Sequence, residues 1–273
     1  MSTKSKKLRH RKKEVAIVIP IYKTVYNPEE IISLKHLEKY LKKYDRYVMY
    51  PDHLNKKGFK LNGFKYIKFP RKHFIGVQSY SEFLLQEEFY RAFKNYKYIL
   101  IYQLDALVFS DQLLKWCRSG YDYIAAPWFG SVIGTLTHKK GLPISGGNGG
   151  FSLRNVQKFL EVLRRVNKLA KRASKNDRVR KIWFLLAILL GKSHKIWLNA
   201  PAIDYPFNED GFWALEAPKY LPNYKVVPFK KALEFSFDKF PEKCFELTKK
   251  KLPFGCHAWK KYNKEFWLPH VLK

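Results

Sequence analysis

Val15-Ala16-Ile17-Val18-Ile19 is an unbroken apolar run, mostly β-branched, closed by Pro20. Such a run without polar alternation predicts a strand covered on both faces, as in a parallel sheet. The period then changes. Ile31, Leu34, Leu37 and Leu41 recur at helical spacing, which predicts a helix over 28–44. Further strands are predicted at 46–50, closed by Pro51-Asp52, and at 65–69, followed by a helix at 79–93. A fourth strand at 98–102 carries Gln103-Leu104-Asp105 at its C-terminal end. Asp111 is expected to cap a helix at 112–117. A fifth strand at 121–126 is stopped by Pro127.

This β-α-β-α order predicts an α/β fold with a doubly wound sheet. In such sheets ligands bind beyond the carboxyl ends of the strands. Tyr22, Asp52, Asp105 and Trp128 all sit at predicted strand ends and are expected to converge there. The second half is less regular. Gly146-Gly147-Asn148-Gly149-Gly150 is a loop, followed by a predicted helix over 156–173. The basic and apolar stretch 171–195 reads as an insertion. Asn208-Glu209-Asp210 precedes a short predicted helix. There are no internal repeats.

Composition changes the picture in one respect. With 46% hydrophobic and 17% aromatic residues, the chain can bury a sizeable core, and disorder throughout is excluded. Its 53 basic residues against 23 acidic ones give a net charge of +30. That field favours anionic partners such as nucleotide phosphates, acidic lipid, acidic glycan or nucleic acid, without choosing among them. Part of the charge is clustered, in a basic arm at 1–13 and along 164–181. Cys117, Cys244 and Cys256 form no CxxC pair and are expected to be reduced thiols. No signal peptide is recognisable. The longest apolar run, at 182–190, falls well short of the roughly 20 residues that span a bilayer. It would be a buried helix or, beside the basic cluster, a contact with anionic lipid. A soluble or peripheral protein in a reducing compartment is expected, cytoplasmic and able to sit on the inner face of the cytoplasmic membrane.

Several residues can carry chemistry. Asp105, directly after an apolar strand, can hold a divalent metal that bridges a diphosphate, because hard cations choose oxygen ligands; it can equally serve as a turn or capping aspartate. Glu209 and Asp210 place two carboxylates side by side in a basic chain. One of them can act as a general base toward an acceptor hydroxyl, or both can simply favour a helix N-terminus. In the loop at 146–154, glycines permit close backbone approach to a ligand, and Asn148 and Ser152 can hydrogen-bond hydroxyls. No Gly-Lys-Ser/Thr follows, so it is not a Walker loop. His257, between Gly255 and Trp259, can be a metal ligand, a phosphate contact or a structural histidine.

Taken in order, these segments resemble a bacterial family of predicted GT-A-like glycosyltransferases. The resemblance rests on VAIVIPIYK at 15–23, Ser79-Tyr80-Ser81, YILIYQLDALVF at 98–109 and Trp116-Cys117. It continues through GYDYIAAPW at 120–128, GNGGFSLR at 147–154, NEDGFW at 208–213 and PFGCHAW at 253–259. It covers about 14–267, and the ordered set is specific although each piece alone is weak. The resemblance implies a GT-A-like doubly wound mixed sheet in a single large domain, with the helical basic insertion at about 171–195. A nucleotide-binding half would span 14–130 and an acceptor-binding half 131–273. Asp105 would stand where GT-A enzymes carry an Asp-x-Asp metal motif, with Gln103 in place of the first aspartate. Asp105, His257 and diphosphate oxygens would hold Mn²⁺ or Mg²⁺.

The resemblance further implies that Asn208-Glu209-Asp210 supplies the base of an inverting enzyme, Asp210 first and Glu209 second. Pro20, Tyr22, Lys23 and Asp52 would contact the nucleoside, and Asn148, Gly149 and Gly150 would shape the donor-sugar or acceptor pocket. The expected donor is a nucleotide sugar, a UDP-sugar in preference. The expected acceptor is a glycan or lipid-linked glycan of cell-surface polysaccharide or lipopolysaccharide synthesis. The rival readings are a basic nucleic-acid-binding protein or metal-dependent nuclease, and a noncatalytic membrane-surface scaffold. No nucleic-acid-binding motif is present, and no specific nucleic acid is expected as partner.

Overall fold

The first strand, β1 (Lys13–Pro20), is buried from Val15 to Pro20, because both of its faces carry helices. The computed structural model of the protein describes residues 12–129, 143–144, 146–173 and 201–272. The basic arm, apart from its last two residues, and the greater part of the expected 171–195 insertion, including the apolar run 182–190, lie outside the described residues. A six-stranded mixed sheet forms the centre, in the order β3-β2-β1-β4-β9-β6. Its strands are β2 (Asp45–Pro51), β3 (Phe64–Phe69), β4 (Tyr96–Tyr102), β6 (Tyr123–Ala125) and β9 (Phe151–Asn155) with β1. Strands β3, β2, β1 and β4 run parallel, and β9 is antiparallel to both β4 and β6. The α/β class with a doubly wound mixed sheet is therefore what this chain adopts.

Alternation along β1 divides the core. Val15, Ile17, Ile19 and Ile21 pack on one face with Leu37 and Leu41 of α1 (Pro28–Leu41). Ala16 and Val18 pack on the other, with Phe83, Phe89 and Phe159. Those three aromatics come from α2 (Val77–Phe83), α3 (Glu87–Ala92) and α5 (Val156–Ala173). A second, three-stranded sheet, β10-β11-β5, is built from β10 (Ser236–Phe237), β11 (Gly255–Cys256) and β5 (Leu107–Val108), and β7 (Trp128–Phe129) pairs with β8 (Pro143–Ile144) in a two-stranded ribbon. The three-stranded sheet hangs from the end of β4 and carries His257.

Some expectations are corrected. The single helix expected over 79–93 is two, α2 and α3. Phe83, Leu84 and Leu85 are all buried, and three consecutive residues 100° apart cannot all face the core from one amphipathic helix. The chain kinks there, and Glu87 and Glu88 start a new helix with favourable charges in its first turn. Asp111 does not cap its helix. The cap position of α4 (Leu113–Cys117) is Gln112, and Asp111 accepts from the Tyr44 hydroxyl at 2.6 Å. Helix α1 is rotated relative to its apolar spacing: Ile31 is exposed, while Ser33 and His36 are buried. They are satisfied because Ser33 donates to the Ala106 carbonyl at 2.7 Å and His36 Nδ1 lies 2.8 Å from the Val108 carbonyl. All three cysteines are buried and free of disulfides.

Candidate active site

A cavity of about 690 Å³ opens beyond the carboxyl ends of β1 and β4. Strand pairing brings its parts together. The β4–β9 register, Tyr102 opposite Phe151, sets Gln103 against the glycine loop, and the Gln103 amide donates to the Gly150 carbonyl at 2.9 Å. The β11–β5 pairing, Cys256 opposite Leu107, carries His257 back over the Asp105 turn. There the Trp259 amide donates to the Asp105 carbonyl at 3.2 Å. The parallel pairing of Phe237 with Cys256 places buried Asp238 beside His257.

His257 is the hub of one polar cluster. Its Nε2 lies 3.2 Å from Asp105 Oδ1 and 3.2 Å from Gln103 Oε1, and its Nδ1 lies 3.1 Å from Asp238 Oδ1. Burial opposes a charge on the imidazole. The Asp105 charge and the hydrogen bonds that the ring donates to Asp105 and Asp238 outweigh it and raise the His257 pKa to about 10. Asp105 is half-exposed; the partial desolvation of its carboxyl works against ionisation, yet the neighbouring imidazolium holds it below its usual value.

The second cluster contains the acidic pair. Glu209 is buried and ion-paired with fully buried Arg154 at 2.6 Å, and the Ser81 hydroxyl receives the Glu209 amide at 2.8 Å. Arg154 also donates to Tyr90 Oη at 3.1 Å, to Ser152 Oγ at 3.0 Å and to the Gly149 carbonyl at 3.2 Å. Among the described residues Asp210 has no basic partner of this kind. Its oxygens accept the Gly149 and Gly211 amides at 3.2 and 2.7 Å. Burial, and then the Glu209 charge beside it, push the Asp210 carboxyl up to about 7. Environment thus separates two adjacent carboxylates, one neutralised by an arginine and one left proton-accepting near neutral pH.

Pro20, Tyr22, Lys23, Gln103, Asp105, Asn148, Gly149, Gly150, Glu209, Asp210 and His257 all line this cavity. Asp52 and Trp128 do not. Asp52 is exposed at the end of β2 and accepts the Arg71 amide at 3.1 Å, while Trp128 is buried in the core. Asp238, Glu29, Glu30 and Lys260 were not singled out by sequence reasoning. Lys260 pairs with Glu29, and Lys23 pairs with Glu30 at 2.9 Å, across the mouth of the cavity. For Asp238 no local signal exists, since its partner is 19 residues away. Arg154 and Ser81 lie within the motifs at 147–154 and 79–81, but their contacts with Glu209, 55 and 128 residues away, leave no local signal.

The glycines of the loop are required by space. A Cβ at Gly150 would collide with His257 Nε2 and with Gln103 Oε1. Gly150→Ala is therefore expected to displace His257 from Gln103 and Asp105. A pH titration of the histidine ring resonances checks this, and an unchanged His257 titration refutes it.

A divalent metal can be tested against these residues. Among the described residues there is no group of three or more His, Cys, Asp or Glu side chains that could hold an ion. The available donors are the Asp105 carboxylate, the neutral Gln103 oxygen and, once an ion displaces its proton, His257 Nε2. Their 3.2 Å spacings lie close to the roughly 3 Å separating adjacent ligands of a six-coordinate ion with bonds of about 2.1 Å. Asp238 on Nδ1 orients the ring as partners of metal-binding histidines do. The set fits an open site with few protein ligands, completed by oxygens of a bound substrate.

The family model described as "Protein of unknown function (DUF5672)" matches residues 63–257. No curated protein matches the chain. Among solved structures it is similar to the glycosyltransferase GlyE of Streptococcus pneumoniae TIGR4, with 14% identity and a TM-score of 0.47. That likeness covers 96% of this chain and 61% of GlyE, so the chain spans less than two thirds of GlyE's length. It is also similar to the galactosyltransferase LgtC in complex with donor and acceptor sugar analogs, with 11% identity, 89% of this chain, 86% of that one and a TM-score of 0.49. Mouse xyloside xylosyltransferase 1 gives 11% identity, 89% and 97% coverage and a TM-score of 0.47. Likenesses at these identities and TM-scores say nothing of chemistry.

Proposed function

The chain belongs to the family described as "Protein of unknown function (DUF5672)", and from that premise we propose that it is a glycosyltransferase using a nucleotide-sugar donor. One observation carries the reading. Asp105, Gln103 and His257 share a single cavity with Asp210, an unpaired carboxylate poised to accept a proton. The cavity volume lies within the roughly 300–1,000 Å³ of small-molecule sites. The ordered motifs of the sequence point to the same activity.

In this reading the nucleoside lies against Pro20, Tyr22 and Lys23, and the diphosphate lies toward Asp105 and His257. Asp105 and His257, with Gln103 beside them, would hold Mn²⁺ or Mg²⁺. When bound, such an ion neutralises charge developing on the departing diphosphate. Asp210 takes the proton of the acceptor hydroxyl as its oxygen attacks the anomeric carbon. The bond from that carbon to the diphosphate oxygen breaks, and the nucleoside diphosphate leaves with the electron pair. A single displacement of this kind inverts the anomeric centre. Glu209, held by Arg154, positions Asp210 rather than sharing its task. The finer form takes a UDP-sugar as donor and a glycan or lipid-linked glycan as acceptor, in cell-surface polysaccharide or lipopolysaccharide synthesis at the cytoplasmic membrane face. A nucleotide-binding half at 14–130 and an acceptor-binding half at 131–273 would meet at this cavity.

The test is thermal unfolding with a panel of nucleotide sugars, with and without Mn²⁺, on wild type and Asp105→Ala. A metal-dependent rise with one donor class is expected, lost in the variant. The reading sinks if no nucleotide sugar stabilises the protein, or if Asp105→Ala responds as wild type does.

A further inference from the structure

A surface outside the cavity combines exposed apolar side chains with unneutralised lysines. It is carried by the helix Pro241–Leu247 and the turn that follows. Phe240 and Leu247 are 54% and 53% exposed, and Leu252 is 36% exposed. Around them stand Lys239, Lys243, Lys249, Lys250 and Lys251, five lysines against the two carboxylates Glu242 and Glu246. Elsewhere Lys219, Lys231 and Lys260 pair with carboxylates. Among the described residues these five do not; Lys243 lies over the Phe129 ring and Lys239 over the Tyr262 ring.

Backbone conformation strengthens the case. Phe240, Lys249 and Lys250 hold φ of 56°, 55° and 58°, in the left-handed region where glycine is favoured and bulky residues are strained. A chain shaped only by folding would gain by placing glycine at these positions. This one places a large apolar ring and two ammonium groups there, directed to solvent. The surface also continues toward the cavity. Lys261 shares the Tyr262 ring with Lys239, and the neighbouring Trp259 and Lys260 line the cavity wall.

We propose that this surface docks on an anionic lipid bilayer, Phe240, Leu247 and Leu252 entering the headgroup layer while the lysines meet lipid phosphates. The mixture of chemistries favours a bilayer over nucleic acid. Leu247 and Leu252 gain by entering an apolar boundary and offer no ring face on which a base could stack, which leaves Phe240 as the single stacking surface among the three. The inference does not depend on sugar transfer, and vesicle binding is read without any donor present.

The full chain is tested on phosphatidylcholine vesicles with and without phosphatidylglycerol. Lys249→Gly with Lys250→Gly removes two charges at positions whose φ suits glycine, so folding is preserved and an unchanged or raised unfolding midpoint confirms it. At roughly a fivefold loss per lysine, binding to phosphatidylglycerol vesicles weakens by about 25-fold. An environment-sensitive dye on Leu247→Cys shifts to an apolar signal on those vesicles, whereas the same dye on Lys94→Cys does not. Four results overturn the proposal: no vesicle binding, equal binding by the glycine variant, a dye at 247 that stays aqueous, or salt-sensitive binding to duplex DNA in place of vesicles.

Discussion

Asp210→Asn is expected to lower sugar transfer by about 10²–10⁴-fold, the range supplied by a positioned general base, while donor binding is retained. Among the described residues Asp210 is the member of the acidic pair without an arginine partner, and its carboxyl sits at about 7 because it is buried beside Glu209. A base must be ionised to act, so the wild-type rate should climb with pH and level off above that value. The asparagine variant should lose this limb. Linkage gives an independent readout. A folded-state carboxyl raised above its unfolded value contributes stability that is full below the unfolded pKa of 3.8 and is lost as pH rises through about 7. Wild type should therefore be less stable at pH 8 than at pH 5 on account of this group, and Asp210→Asn should narrow the difference. The asparagine retains one oxygen for the two amides that Asp210 accepts, so the comparison across pH is more informative than either stability alone. A variant with near wild-type turnover and an unchanged pH profile would remove Asp210 from the mechanism.

Arg154→Met is expected to cost about 3–5 kcal/mol of stability, the usual consequence of stripping one partner from a buried ion pair. The guanidinium is fully buried, and groups from three segments accept from it: Glu209, Tyr90, and the Gly149 carbonyl with Ser152. Without it the Glu209 carboxylate is left buried with only the Ser81 hydroxyl nearby at 3.3 Å. Arg154→Met combined with Glu209→Leu should recover most of the loss, because replacing a whole buried pair by apolar groups is close to neutral. Denaturant unfolding measures both. If Arg154→Met unfolds within about 1 kcal/mol of wild type, the ion pair is not what holds the acidic segment beside the glycine loop.

The pair also shows how far the sequence reaches. Glu209 and Asp210 are adjacent and chemically alike, and nothing local separates them. Arg154, 55 residues earlier in the chain, does so once β9 is inserted between β4 and β6. Asp52 illustrates the reverse. Its place at the end of β2 predicts a site residue by the same logic as Asp105, yet Asp52 does not line the cavity and its carboxylate accepts the Arg71 amide.

By itself, the order of residues determined where the backbone is extended or helical and which stretches need cover on both faces. β-branched runs, helical spacing and proline stops are local properties that steric and hydrophobic rules read directly. It also determined that polar groups and a glycine loop stand at the ends of those elements. The tertiary structure alone decided which ends meet: β9 antiparallel beside β4, Phe237 paired with Cys256 so that Asp238 reaches His257, and one carboxylate of two deprived of a counter-ion. Strand order and register follow from packing both faces of a sheet at once, and a proton affinity follows from whatever distant segments exclude water around the group. Neither quantity is a property of any short stretch of chain.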